Sequence, residues 1–144
     1  MIIQLSCNDI TNISHLKDEV KLSFYMAEKS TQNTVAIAVA ALKTYPNLQK
    51  VLILMRSPRL DCPKLRDLSE HGNTIVFDEV AKSGFSEQIK IGQMNTIMTK
   101  TSDQIHQVFG SRFSPKTDYI HMKGHLGQKL YTRAIIEAIE STLV

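Results

Sequence analysis

The stretch "KVLILMRSP", residues 50–58, decides the fold of this chain. Five apolar residues follow one another from Val51 to Met55 with no polar residue between them. A strand with one covered face alternates apolar and polar residues, so an unbroken apolar run predicts a strand covered on both faces. Strands of this kind are typical of parallel sheets flanked by helices, and Pro58 bounds this one.

Segments on either side of this strand complete a β-α-β pattern. Residues 2–6 (IIQLS) and 88–92 (QIKIG) predict two further short strands. Helical periodicity predicts a helix capped by Ser14 with Leu16, Val20, Phe24 and Ala27 on its apolar face, a second over residues 34–44 that Pro46 ends, and a last one carrying Leu126, Leu130, Ala134 and Ala138. Residues 64–83 are ambiguous: TIVF alone could be a strand, but Leu65, Leu68, Ile75 and Val80 between charged residues fit a helix better. Gly72 is expected to weaken this helix by about 1 kcal/mol relative to alanine.

This alternation predicts an α/β fold with a small parallel sheet of about three strands flanked by helices, in one domain over residues 1–144. Crossovers between parallel strands are right-handed. Ligand sites in such sheets form beyond the carboxyl ends of the strands. The loops after Leu5, Met55 and Ile91, and the long loop over residues 93–117, are therefore where functional residues are expected.

Composition narrows the function classes. The net charge of +3 is spread along the chain without a block of like charges, which argues against nucleic-acid binding. No apolar run reaches the length of a membrane span, and the N-terminus lacks the pattern of a signal peptide, so a cytoplasmic location is the default expectation. Cys7 and Cys62 lack metal or redox spacing and are expected to be free thiols.

The clearest chemical pattern is Asp118-x-x-His121 before the last helix. A carboxylate that accepts the Nδ1 proton of a histidine fixes its tautomer and leaves Nε2 free as a general base. The same spacing also occurs in purely structural pairs. A metal site would add His125, but Gly124 and Gly127 disfavour a continuous helix over residues 121–127, and the glutamate of the HExxH pattern is absent. No metal or cofactor is therefore expected.

Asn8 follows the first predicted strand and has two readings. Its carboxamide can donate a hydrogen bond to a developing oxyanion, or it can supply turn and capping chemistry together with Asp9. The remaining histidines, His15, His71 and His106, are expected at the surface or in loops.

Taken in order, the blocks "IIQLSCNDI", "KVLILMRSPRLD", "IKIG" and "DYIHMKGHLGQKLYTRAI" resemble the later part of the SGNH (GDSL-type) hydrolase superfamily, which has a flavodoxin-like fold. That family has a strand ending in G-x-N-D and a D-x-x-H loop before its final helix. Here Ser6 stands in place of the glycine. The resemblance implies acyl-ester hydrolysis, with His121 as general base, Asp118 as its orienting partner and Asn8 as an oxyanion donor.

The same resemblance implies a sheet that is truncated at its N-terminal side. The family's nucleophilic serine lies in a G-D-S block upstream of the N-D strand, and a glycine between them is the second oxyanion donor; neither block is found in this sequence. Cys7 is one alternative nucleophile, because a thiolate needs less activation than an alkoxide, and a small core residue is the other reading.

Two functions follow as expectations. The first is an esterase domain that acts on a small-molecule ester, with a nucleophile supplied elsewhere or lost, so that the isolated chain is expected to be inactive. The second is an inactive binding or assembly module. Residues 2–5 are expected to form an unpaired apolar edge that recruits a second copy of the chain or an upstream polypeptide, with neither nucleic acid nor membrane as partner.

Overall fold

A computed structural model of the chain describes residues 1–5, 20–56, 63–93 and 124–143, with side chains of the last helix given from 128 to 141. The described residues form three strands and three helices in alternation: β1 (Ile2–Gln4), α1 (Val20–Thr44), β2 (Val51–Leu54), α2 (Pro63–Lys82), β3 (Ile89–Gly92) and α3 (Gly124–Leu143). The predicted α/β fold with a small parallel sheet is confirmed, and each strand begins within one residue of its predicted start.

The sheet has the strand order β1-β2-β3, and both pairings are parallel. Ile2 lies opposite Leu52, and Val51 lies opposite Ile89. Hydrogen bonding continues past the last strand residues, since the Leu5 amide donates to the Leu54 carbonyl at 2.9 Å. The strand with the unbroken apolar run is therefore the central one.

Both faces of β2 are covered, which explains why its sequence does not alternate. Val51 and Ile53 belong to an apolar cluster with buried residues of α1 and α2, among them Val35 and Val76. Leu52 and Leu54 point to the opposite face, where they pack against Ala134 and Ala138 of α3. The sheet is thus a middle layer with α1 and α2 on one side and α3 on the other.

The chain between Val20 and Thr44 forms one helix of 25 residues, so the prediction of two separate helices was wrong. The residues between the two predicted helices, 28–33, are all polar. Within the helix, the Thr34 hydroxyl donates to the Ser30 carbonyl at 3.0 Å, and the Thr31 hydroxyl lies 3.3 Å from the Ala27 carbonyl. Hydroxyls bonded to the preceding turn are compatible with a continuous helix.

Helix α2 matches the predicted span to within one residue at each end. Gly72, which was expected only to weaken it, lies buried at the contact with α1. A Cβ atom at Gly72 would lie 2.5 Å from Nη1 of Arg56 and 3.1 Å from Oγ1 of Thr31. The absent side chain therefore makes room for a neighbouring one. Gly84, with a φ of 76°, lets the chain turn just after the helix ends.

Helix α3 begins at Gly124, so Gly124 and Gly127 are both helical. The expectation that no continuous helix covers residues 121–127 also involves residues 121–123, which lie outside the described residues. The helix runs antiparallel to the strands. Tyr131 donates a hydrogen bond to the side chain of Gln4 at 2.6 Å, while Ile139 lines a cleft with Met1 at the opposite end of the sheet. The N-terminus of α3 is therefore at the carboxyl ends of the strands.

Candidate functional site at the carboxyl edge

The first turns of the helices extend beyond the carboxyl ends of the strands. Asn73 of α2 bonds to Arg56, two residues after β2, so the preceding helix residues 63–72 continue about 15 Å past that level. Thr31 of α1 donates to the Gly72 carbonyl at 3.0 Å, so residues 20–30 of α1 also extend beyond the strand ends. We call this space, which lies beyond the strand ends and is bounded by the starts of the helices, the carboxyl edge.

Arg56 is the largest fully buried side chain at this edge, with no exposed surface. Its Nη2 donates to the Ser30 hydroxyl at 2.8 Å, and its Nη1 donates to the Thr31 hydroxyl at 3.2 Å. A buried guanidinium is costly unless its donors are satisfied, and these hydroxyls supply acceptors from α1. Arg56 therefore joins the end of the central strand to the middle of α1.

Asn73 joins the same strand end to α2. Its Oδ1 accepts from the Arg56 amide at 2.9 Å, and its Nδ2 donates to the Arg56 carbonyl at 3.1 Å. One carboxamide thus satisfies both main-chain groups of a buried residue that has already left the ladder, where unpaired groups cost free energy. Together, Arg56 and Asn73 fix the position at which the chain leaves β2.

Two polar atoms closer to the start of α2 are buried but unsatisfied. The Ser69 hydroxyl, on a residue only 2% exposed, and Nε of Arg66 find no hydrogen-bond partner among the described residues. Ser69 is one turn before Asn73, and Arg66 is one turn before Ser69, so the three project from one side of the helix. That side faces the strand ends, because Asn73 bonds to Arg56 there.

A polar contact between α1 and α2 lies nearer the surface. Nε2 of His71 is 2.8 Å from Oε1 of Glu28, and both side chains are partly exposed. The His71 ring also meets the Phe24 ring edge to face, with centroids 4.9 Å apart. The expectation of His71 as a surface or loop residue agrees with its partial exposure, and His71 also links two helices.

Cations lie near the starts of two of the described helices, and Asp67 follows Arg66 in α2. Among the three described helices, none has an acidic residue in its first turn. Lys21 lies at the start of α1, and Lys64 and Arg66 lie at the start of α2. Helix N-termini carry the positive end of the helix dipole, so these cations add to that potential.

The residues that the sequence suggested for catalysis, Asn8, Asp118 and His121, lie outside the described residues, as does Cys7. The main chain of His125 is in the first turn of α3, and its side chain is outside those described. Within the described ranges, no three His, Cys, Asp or Glu side chains are grouped so that they could hold a metal ion.

Sequence reasoning missed Arg56, Asn73 and Ser69. Two signals could have indicated the role of Arg56: it is a cation directly after an apolar strand, and Gly72 is a glycine inside an otherwise regular helix. The Ser69 hydroxyl gave no such signal, because serine is common in helices and its burial follows only from packing.

A second surface lies at the amino ends of the strands. A cleft of about 160 Å³ is lined by Met1, Ile2, Lys50, Val51, Leu52 and Ile139. Ile2 is half exposed, and within the described part of the chain β1 pairs with β2 on one side only. The expected free edge is thus present among the described residues.

Comparisons of the chain with models of protein families, with curated proteins and with solved structures found no match. Among the helices that the structure describes, none is long and apolar enough to cross a membrane. Function is therefore inferred from the chemistry and geometry of the carboxyl edge and of the β1 edge.

Proposed function

We propose that the carboxyl edge is an acyl-ester hydrolase site of the SGNH type. The observation that carries the proposal is the position of the two described residues that flank the suggested site in sequence. Leu5 is bonded to the last residue of β2, and Gly124 begins the helix whose N-terminus is at the same edge. Asn8 is three positions after Leu5, and His121 is three positions before Gly124. These two segments start from Leu5 and Gly124, which both lie at the carboxyl edge. A three-residue segment spans at most about 10 Å.

The strand order supports the same proposal. A flavodoxin-like sheet has the order 2-1-3-4-5, in which the last three strands are adjacent, parallel and sequential. The described strands have that relation to one another, with α1 and α2 on one face and α3 on the other. This arrangement fits the part of the fold in which the family's N-D strand and D-x-x-H loop occur.

The proposed chemistry divides among three side chains. His121 takes the proton of the attacking nucleophile, Asp118 holds its ring in the right tautomer, and the Asn8 carboxamide donates to the oxyanion of the tetrahedral intermediate. The nucleophile is either the Cys7 thiol, next to Asn8 in sequence, or a serine on a second polypeptide paired with β1. Positive charge at the helix starts also stabilises the negative charge that develops on the ester oxygen.

Hydrolysis of a short-chain chromogenic ester tests this proposal. Replacement of His121 by alanine should lower kcat by about 100-fold or more, because a general base contributes at least that factor. His106→Ala, in the same part of the sequence, is the matched control and should retain the wild-type rate. Alkylation with iodoacetamide in a Cys62→Ala background then identifies the nucleophile, since Cys7 is the remaining thiol and only a Cys7-dependent site loses its activity. Equal rates in wild type and His121→Ala would contradict the proposal.

A second function, assembly through β1, is favoured by the free edge and the adjoining cleft. An edge strand presents unpaired main-chain donors and acceptors that a further strand can satisfy. Light scattering coupled to size exclusion measures this directly, with Ile2→Pro as the variant. The amides of residues 1, 3 and 5 lie on the β2 side of β1, so proline at position 2 removes a donor of the free edge and leaves the β1–β2 ladder intact. A concentration-independent monomer in the wild type would argue against assembly, and an oligomer that Ile2→Pro dissociates would support it.

A further inference from the structure

The start of α2 carries a pair of groups that the proposed hydrolase chemistry does not use. The Ser69 hydroxyl is buried and lacks a partner among the described residues, and so does the Nε–H of Arg66 one turn earlier. Buried polar groups in folded proteins are nearly always bonded, so each of these requires an explanation. Because the two unsatisfied groups lie on one side of successive helical turns, a single ligand that bonds to both would explain them.

The direction of the two groups places that ligand at the carboxyl edge. Asn73, one turn after Ser69, bonds to the main chain of Arg56 at the end of β2. Ser69 therefore faces the strand ends about one helical turn beyond Arg56, and Arg66 one turn further. Leu65 and Leu68 pack against Ala27 of α1, and Leu65 lies one turn before Ser69. Ser69 therefore lies at the border between the α1–α2 contact and the strand ends, and Arg66 lies farther from that contact.

The chemistry of the pair selects the ligand. Arg66 is a permanent cation whose guanidinium matches the planar geometry of carboxylate and phosphate oxygens. Ser69 adds a neutral hydroxyl that can donate to the same oxygens. The first turn of α2 contributes the positive end of the helix dipole without an acidic residue to offset it. Every one of these features favours an anion.

We propose that Arg66 and Ser69 form a subsite for an anionic oxygen group, a carboxylate or a phosphate, of the ligand bound at the carboxyl edge. The inference rests on the proposed function for the location of the ligand, and it deepens that function by making the substrate an ester that bears a negative charge. It does not depend on which residue acts as nucleophile.

Titration with sodium phosphate, and separately with sodium acetate, followed by amide NMR of the full chain at constant ionic strength, tests the subsite. Shifts should concentrate on amides of residues 64–69 for the anion that fits. Ser69→Ala, Arg66→Gln and Arg66→Lys should each weaken binding by about tenfold, since a hydrogen bond to a charged group contributes that much and lysine lacks the Nε donor. Lys82→Gln, at the exposed C-terminal end of the same helix, is the control and should bind as the wild type does.

The outcomes separate this subsite from the hydrolase itself. Loss of binding in Ser69→Ala but not in Lys82→Gln supports the subsite. The anion that binds more tightly shows whether the natural ligand carries a phosphate or a carboxylate. Equal weakening in Lys82→Gln, or unchanged binding in Ser69→Ala, overturns it. Hydrolysis of a neutral p-nitrophenyl ester and of a p-nitrophenyl succinate monoester is measured in parallel. Anion binding without hydrolysis retains the subsite and rejects a nucleophile carried by this chain. Hydrolysis without preference for the anionic ester retains the hydrolase and rejects the subsite.

Discussion

The centre of the sheet and its carboxyl edge differ in the kind of side chain that they bury. In the centre, the four residues of β2 are buried and every one meets an apolar partner on one face or the other. At the carboxyl edge, a guanidinium, a carboxamide and several hydroxyls are buried, and the Ser69 hydroxyl lacks a partner among the described residues. Burial of apolar surface stabilises a fold, whereas unsatisfied polar groups lower its stability and are concentrated at functional sites. The contrast indicates which region holds the fold together and which is arranged for a ligand.

The largest effect is expected in the centre. Ile53→Ala removes a fully buried side chain from the face that contacts α1 and α2, and should lower the free energy of unfolding by about 3 to 4 kcal/mol. Ile37→Ala is the control on α1, where the isoleucine is 58% exposed, and should change stability by less than about 0.5 kcal/mol. Urea denaturation measures both. Similar losses in the two variants would mean that β2 is not the centre of the core.

A smaller effect is expected where the two regions meet. Alanine is the better helix former by about 1 kcal/mol, yet Gly72→Ala should lower stability by about 2 kcal/mol, because its Cβ would lie 2.5 Å from Nη1 of Arg56. The double variant Gly72→Ala with Arg56→Met tests the cause, since a flexible apolar side chain can move aside. The second substitution should recover part of the loss in a double-mutant cycle. Strict additivity would show that the contact with Arg56 is not responsible.

The smallest effect has the opposite sign and belongs to the carboxyl edge. Ser69→Ala removes a buried hydroxyl without a partner among the described residues and should raise the free energy of unfolding by about 1 kcal/mol. Ser83→Ala is the contrasting control, because that hydroxyl donates to the Val80 carbonyl and accepts from the Phe85 amide. Thermal unfolding should show a rise in Tm for Ser69→Ala and a fall for Ser83→Ala. A fall in both would indicate that Ser69 is bonded in solution.

The sequence predicted the centre of the molecule better than its edge, for a physical reason. The apolar run of β2 and the span of α2 follow from local patterning, which is why both were located to within one or two residues. The division of α1 was wrong, because Thr31, between the two predicted helices, meets partners at Gly72 and Arg56 that are distant in sequence. Arg56 and Asn73 depend on the same long-range contacts. Asn8, Asp118 and His121 lie outside the described residues, and their roles remain predictions.

The central position of β2 has a consequence for how the molecule folds and unfolds. Both crossovers, β1-α1-β2 and β2-α2-β3, include this strand, so the two halves of the chain have a structural element in common. Because both halves need β2, neither half can fold or unfold independently of the other. We therefore expect a single cooperative transition in which hydrogen-exchange protection is greatest at Leu52 and Ile53 and is lost from both crossovers at the same denaturant concentration.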